Sequence, residues 1–173
     1  MHVTAVIGVG NPRMADDGVG VHLVRVLSRT CELPGVMFFE TGTAPLAMAS
    51  ALSVCQTAVI LDCALMGEEP GTLRWFGEPE AAEPSILGGG RTFAHEGSLL
   101  GALHAWRAAG TCPRAVVFFA VQPQRVCRDD RLSPTLRMRF PAYVTTIAQW
   151  LQAHAVPRRR LTSPPVMGRV GGM

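Results

Sequence analysis

Three short runs in this chain are apolar almost throughout: Val3–Val9, Thr57–Asp62 (which ends in a carboxylate) and Ala115–Val121. A half-buried strand alternates polar and apolar residues, whereas a strand apolar on both sides has to be covered on both. Segments with helical spacing separate these runs. Val19, Leu23, Val24, Val26 and Leu27 fall on one helical stripe, and Leu99, Leu103 and Trp106 on another. Ser133-Pro134 opens a last helix reaching about His154, with proline in its first turn. Alternating buried strands and helices predict a three-layer α/β/α sandwich, a mostly parallel, doubly wound sheet with helices on both faces. Ligands in such folds bind at the carboxyl ends of the strands, at the switch point of the winding.

Weaker signals fill in the remainder. Val36–Glu40 reads as a second strand, Pro45 to about Leu52 as a helix, and Thr72–Phe76 as an extra strand after the turn Glu68-Glu69-Pro70-Gly71. Gly77–Thr92 carries Pro79, Pro84 and Gly88–Gly90 and reads as a long loop, a length usually functional or mobile. Gln122–Leu132 is a polar loop. Residues 1–156 form one domain on this reading. Pro157–Met173, with three prolines, three glycines and no periodicity, is expected to be a disordered tail.

Charge and composition exclude several functions. All sixteen basic residues are arginine, and Arg158, Arg159, Arg160 and Arg169 lie in the tail. Residues 1–156 carry 12 arginines against 13 acids, so the body is nearly neutral and lacks the basic footprint of a nucleic-acid binder. No apolar run reaches the roughly 18 residues of a membrane span. The start, MHVTAVIGVGNP, has neither the basic region nor the cleavage site of a secretory signal. Five cysteines, at 31, 55, 63, 112 and 127, contain no C-x-x-C pair and read as reduced thiols of a cytoplasmic protein.

Chemistry-bearing residues gather at strand ends. Gly8-Val9-Gly10-Asn11-Pro12 closes the first run, but Arg13 stands where a dinucleotide fingerprint needs glycine. Asp16 or Asp17 is expected to cap the helix beginning near Val19, which leaves the other acid over. Asp62 ends the third strand, where a buried carboxylate needs donors or a cation. The alternative for Asp62 is a cap on the following turn. His95 heads a helix, a position favouring the neutral, metal-binding imidazole. If the first and third strands are neighbours, Asp17 and Asp62 face each other across the crevice. With His95 they make a three-ligand site with open positions, converging at one sheet edge. His2, His22, His104 and His154 read as surface or helix-face residues. Cys63 points to the opposite sheet face from Asp62 and reads as core. A G-x-S-x-G elbow and H-E-x-x-H are both absent. Glu40-Thr41-Gly42 only faintly resembles the D-T-G of aspartic proteases.

Gly8-Val9-Gly10-Asn11-Pro12 followed by Asp16-Asp17-Gly18-Val19-Gly20 strongly resembles the opening of the hydrogenase maturation endopeptidases. The similarity continues through Gly42-Thr43-Ala44, Asp62, His95 and Leu132-Ser133-Pro134, covering about residues 3–152. In that family the second acid of the pair, the strand-end aspartate and the histidine bind nickel or cadmium. The resemblance therefore implies that Asp17, Asp62 and His95 are the metal cluster and the catalytic centre. It implies a substrate-binding role for Glu40, Gly42 and Thr43, with Glu40 standing where relatives usually have aspartate.

The resemblance further implies an endopeptidase that removes the C-terminal extension of the nickel-loaded [NiFe]-hydrogenase large subunit, after its last metal-binding cysteine motif. Nickel would come with the substrate and bind the isolated protein weakly, because carboxylates and an imidazole form a fairly hard donor set. The expected partner is the large-subunit precursor, with no nucleic acid and no membrane span, and the protein itself is expected to be a monomer. Two rivals stand beside this reading: a nickel-dependent chaperone that holds the subunit without cutting it, and a general metallopeptidase on the same fold.

Overall fold

The computed structural model describes residues 3–77, 107–108, 110 and 113–155, and the backbone of 168–170. The three apolar runs are β1 (Thr4–Val9), β3 (Thr57–Cys63) and β5 (Ala115–Val121), and nearly every position in them is buried. β2 is Val36–Gly42 and β4 is Leu73–Gly77. The helices are α1 (Val19–Thr30), α2 (Pro45–Ser53) and α3 (Pro134–His154).

The sheet runs β2-β1-β3-β5-β4-β6, where β6 is Gly168–Val170. β2, β1, β3 and β5 are parallel, and β4 is antiparallel to β5. From β1 the chain winds outward to β2, then returns across it to β3. The switch point therefore lies between β1 and β3, which pair directly with Gly8 opposite Leu61.

Each sheet face has its own core. Ile7, Ile60 and Phe118 pack with Met48, Ala51 and Leu52 of α2. Val6, Leu61 and Phe119 pack with Leu23 and Leu27 of α1 and with Ile147 and Leu151 of α3. Trp150 meets Phe119 edge-on at 5.7 Å between ring centres. Each such large side chain contributes roughly 1.5–3 kcal/mol on burial. The expected three layers are present. No helix among the described residues is long and apolar enough to cross a membrane.

Two local expectations differ. Neither Asp16 nor Asp17 caps α1, whose N-cap is Gly18 with no side-chain bond. Both acids lie one turn earlier, in a 3-10 turn over Ala15–Gly18, because their carboxylates serve other amides. Within the tail, Gly168–Val170 pair antiparallel with Leu73–Trp75 instead of lying loose. Backbone pairing to the exposed edge of β4 needs no apolar periodicity, so a three-residue strand leaves no pattern to read. The rest of the expected tail, the loop over 78–92 and the helix opened by His95 lie outside the described residues.

Candidate active site

The glycine-rich opening fits three elements against one another. Gly10 holds φ at +113° and donates its N–H to the Gly42 carbonyl at 3.1 Å. A Cβ on Gly10 would stand 1.8 Å from the Asp17 carbonyl oxygen, so only glycine lets the 3-10 turn close on the strand end. A Cβ on Gly20 would meet the Leu61 carbonyl oxygen at 2.0 Å and that of Val9 at 2.5 Å. The start of α1 is thus pressed between the carboxyl ends of β1 and β3. Asn11 accepts the Arg13 N–H on Oδ1 at 3.0 Å and shapes the turn, which accounts for an asparagine the glycines alone do not explain.

The adjacent acids have separate tasks. Asp16 is fully buried. Its Oδ2 accepts the N–H groups of Gln124 at 2.9 Å and Arg125 at 3.0 Å, and its Oδ1 accepts that of Ser133 at 2.7 Å. It is a bracket between the first turn and the loop before α3. Asp17, 5% exposed, accepts the Asn11 N–H on Oδ2 at 2.8 Å. The bracket occupies Asp16, whereas the Asp17 carboxylate stays within the turn between β1 and α1.

Asp62 is fully buried on the face of β3 that carries Ile60, and its Oδ1 accepts the Cys63 N–H at 2.7 Å. Cys63 lies on the other face, in the core. Burial pushes its thiol far above the ordinary range, and the charges of Asp62, Asp17 and Asp16 push it further. Cys63 is therefore no thiolate nucleophile, and three carboxylates lie close enough to act on it. Asp17 lies in the turn that follows β1, and Asp62 lies near the carboxyl end of the neighbouring parallel strand β3. His95 lies outside the described residues. Among the described residues, no group of three or more histidine, cysteine or acidic side chains could hold a metal by itself.

Glu40, Gly42 and Thr43 sit at the neighbouring strand end. Arg25 of α1 engages Glu40 through two contacts, Nε to Oε2 at 2.7 Å and Nη2 to Oε1. The Arg25 guanidinium holds the Glu40 carboxyl below its ordinary range. Thr41 is buried and donates from Oγ1 to the Gly8 carbonyl at 3.2 Å, tying β2 to β1. Gly42, at φ +56°, and exposed Thr43 turn the chain beside Gly10.

Two features carry no signal in apolar periodicity. Gln122, just past β5, accepts the Met66 N–H at 2.6 Å on Oε1 and holds the chain after β3. A cavity of about 360 Å³ is lined by Arg125, Asp129, Arg131 and Arg137, with Gln124, Leu132 and Pro134. Its one trace in the sequence is the density of arginine between 125 and 139.

Comparison with known proteins bears on the family and the fold. The family model described as hydrogenase maturation protease matches residues 21–150. HupD of Bradyrhizobium diazoefficiens, a hydrogenase expression/formation protein, is 29% identical over 163 residues, spanning 92% of this chain and 83% of that protein. The hydrogenase 2 maturation protease of Escherichia coli is 26% identical, spanning 90% of this chain and 96% of that protein. The match to HoxM of Azotobacter vinelandii, 27% identical, spans 70% of this chain but 58% of its relative. Among solved structures, the maturating endopeptidase HybD of Escherichia coli shares the fold with a TM-score of 0.75 at 22% identity, over 87% of this chain and 93% of that one. With a family match over well more than half its length, built on this fold, the chain belongs to the hydrogenase maturation proteases.

Proposed function

We propose that this protein is the endopeptidase that trims the C-terminal extension from a nickel-loaded [NiFe]-hydrogenase large subunit. The reading rests on two buried carboxylates at the carboxyl ends of neighbouring parallel strands, Asp17 in the turn after β1 and Asp62 at the end of β3, while Asp16 is occupied by three amides. Two buried carboxylates favour a cation brought to them, because water screens them little, but they are too few donors to hold nickel tightly on their own. His95 completes the donor set. Nickel is carried in by the substrate, and the cluster recognises it there. Gly42 and Thr43 line the path of the peptide next to Glu40, whose carboxylate stays with Arg25.

The deciding experiment incubates the protein with purified precursor, with and without nickel, and reads the products by mass spectrometry. A defined loss of the C-terminal peptide only in the nickel-loaded sample is the expected result. Complex formation without any mass change would replace the endopeptidase by a chaperone. Cleavage of unrelated proteins would replace it by a general metallopeptidase.

A further inference from the structure

The cavity before α3 has the wrong charge for its position. A helix N-terminus carries partial positive charge and ordinarily gathers acids in its first turn. The first turn of α3 has none, and Arg137 stands at its edge with Arg125 and Arg131 across the cavity. Asp129 is the one acid in the lining. It binds Arg125 at 2.6 Å and lies 3.7 Å from Arg131. Three guanidinium groups and one carboxylate therefore line the cavity, and Arg131 also lies 4.0 Å from the exposed Asp130 beside it. Arg125 and Arg131 are exposed at 44% and 75%, and Arg137 is exposed as well. The body of the chain is close to neutral, so this concentration of positive charge is local.

The wall of the cavity is fastened to the turn that carries Asp17. Asp129 N–H donates to the Arg13 carbonyl at 3.1 Å, and Ala15 N–H donates to the Asp129 carbonyl at 2.7 Å. Asp16 holds the amides of Gln124 and Arg125. A ligand in the cavity is thus held by the same rigid unit that presents Asp17.

Building on the proposed protease function, we propose that the Arg125/Arg131/Arg137 cavity docks an acidic segment of the large-subunit precursor, taking its aspartate or glutamate carboxylates. Planar guanidinium groups pair with carboxylates in two-pronged fashion, which fixes orientation as well as affinity. The cavity volume suits a few side chains, not a nucleic-acid groove.

The test is the double variant Arg131→Glu/Arg137→Glu, both positions exposed, assayed on nickel-loaded precursor. KM should rise about tenfold or more with kcat kept within about twofold, since exposed interface charges act on encounter. The KM of the parent should climb with sodium chloride, and that dependence should flatten in the variant. Arg131→Lys/Arg137→Lys should restore most of the KM. An aspartate- and glutamate-rich peptide should compete, and inorganic phosphate at equal concentration should not. An unchanged KM, or phosphate competing as well as the peptide, overturns the docking role. If the parent cleaves no precursor, the protease reading fails. Calorimetric binding of precursor to parent and variant then still decides the docking role: a tenfold weaker variant supports it, and equal affinity overturns it.

Discussion

The Asp16 carboxylate accepts the Ser133 amide at 2.7 Å across 117 positions of sequence, and Asp17 beside it takes no part in that contact. On the proposed function, the pair thus separates scaffold from site. Asp16→Ala strands three amide donors, and a buried donor left unpaired costs about 1–3 kcal/mol. It should lower stability by about 3 kcal/mol or more in urea denaturation. Asp17→Asn keeps the shape and can still accept the Asn11 N–H, so it should stay within about 1 kcal/mol of the parent and lose precursor processing. Equal destabilisation by the two substitutions would contradict the division.

Asp62→Asn should fold nearly as well as the parent and fail to process nickel-loaded precursor. Removing the charge of a fully buried carboxylate lowers its desolvation cost, so stability could even rise. Leu61→Ala is the contrast. Its side chain is fully buried, and the cavity should cost about 2–5 kcal/mol while any folded protein still cleaves. Parental cleavage by Asp62→Asn would remove Asp62 from the site.

Gly20→Ala should be far more damaging than a glycine replacement on the surface. Its methyl would fall 2.0 Å from the Leu61 carbonyl oxygen, which belongs to the strand and cannot swing aside. A loss of about 3 kcal/mol or more is expected. Gly110→Ala meets no atom of the described residues within 4 Å and has its φ of +72° against it, so about 1–2 kcal/mol is expected. Thermal unfolding of the two variants distinguishes clash from backbone strain.

His22 supplies a pH test. Burial lowers its pKa below the ordinary 6.5, the Arg25 charge lowers it further, and Glu40 opposes them. Below 6.5 the unfolded chain takes up a proton that the folded one resists. This residue should therefore cost stability as pH falls from 6.5 towards its folded value, and nothing above 6.5. Stability curves for the parent and His22→Gln should converge at pH 7.5 in slope and diverge at pH 5, with the parent falling more steeply. Parallel slopes throughout would refute it.

Much of this was legible because local chemistry determined it. Runs apolar on both sides could only be interior strands, and Ser133 followed by Pro134 could only open a helix; its Oγ accepts the Leu136 N–H at 3.3 Å. Asp62 was conspicuous because a charge closed an apolar run. Contacts set by distant chain were not legible. Asp16 looks like a helix cap from its neighbours, and only the loop at 124–133 shows what it holds. The pairing of Gly168–Val170 depends on an exposed edge of β4, which no pattern within the tail records. The arginine cavity appears only when the loop folds back against residues 13–16.

Cys63 sits beneath the acidic edge, yet its sulfur is sealed in the core and kept protonated. Soft metals follow thiolate sulfur in preference to carboxylate oxygen. On the proposed function, an oxygen-rich surface that withholds its sulfur would inspect the nickel of the precursor without competing for it. Custody of the cargo would then stay with the client throughout the encounter, and departure of the inspector would leave the finished centre intact.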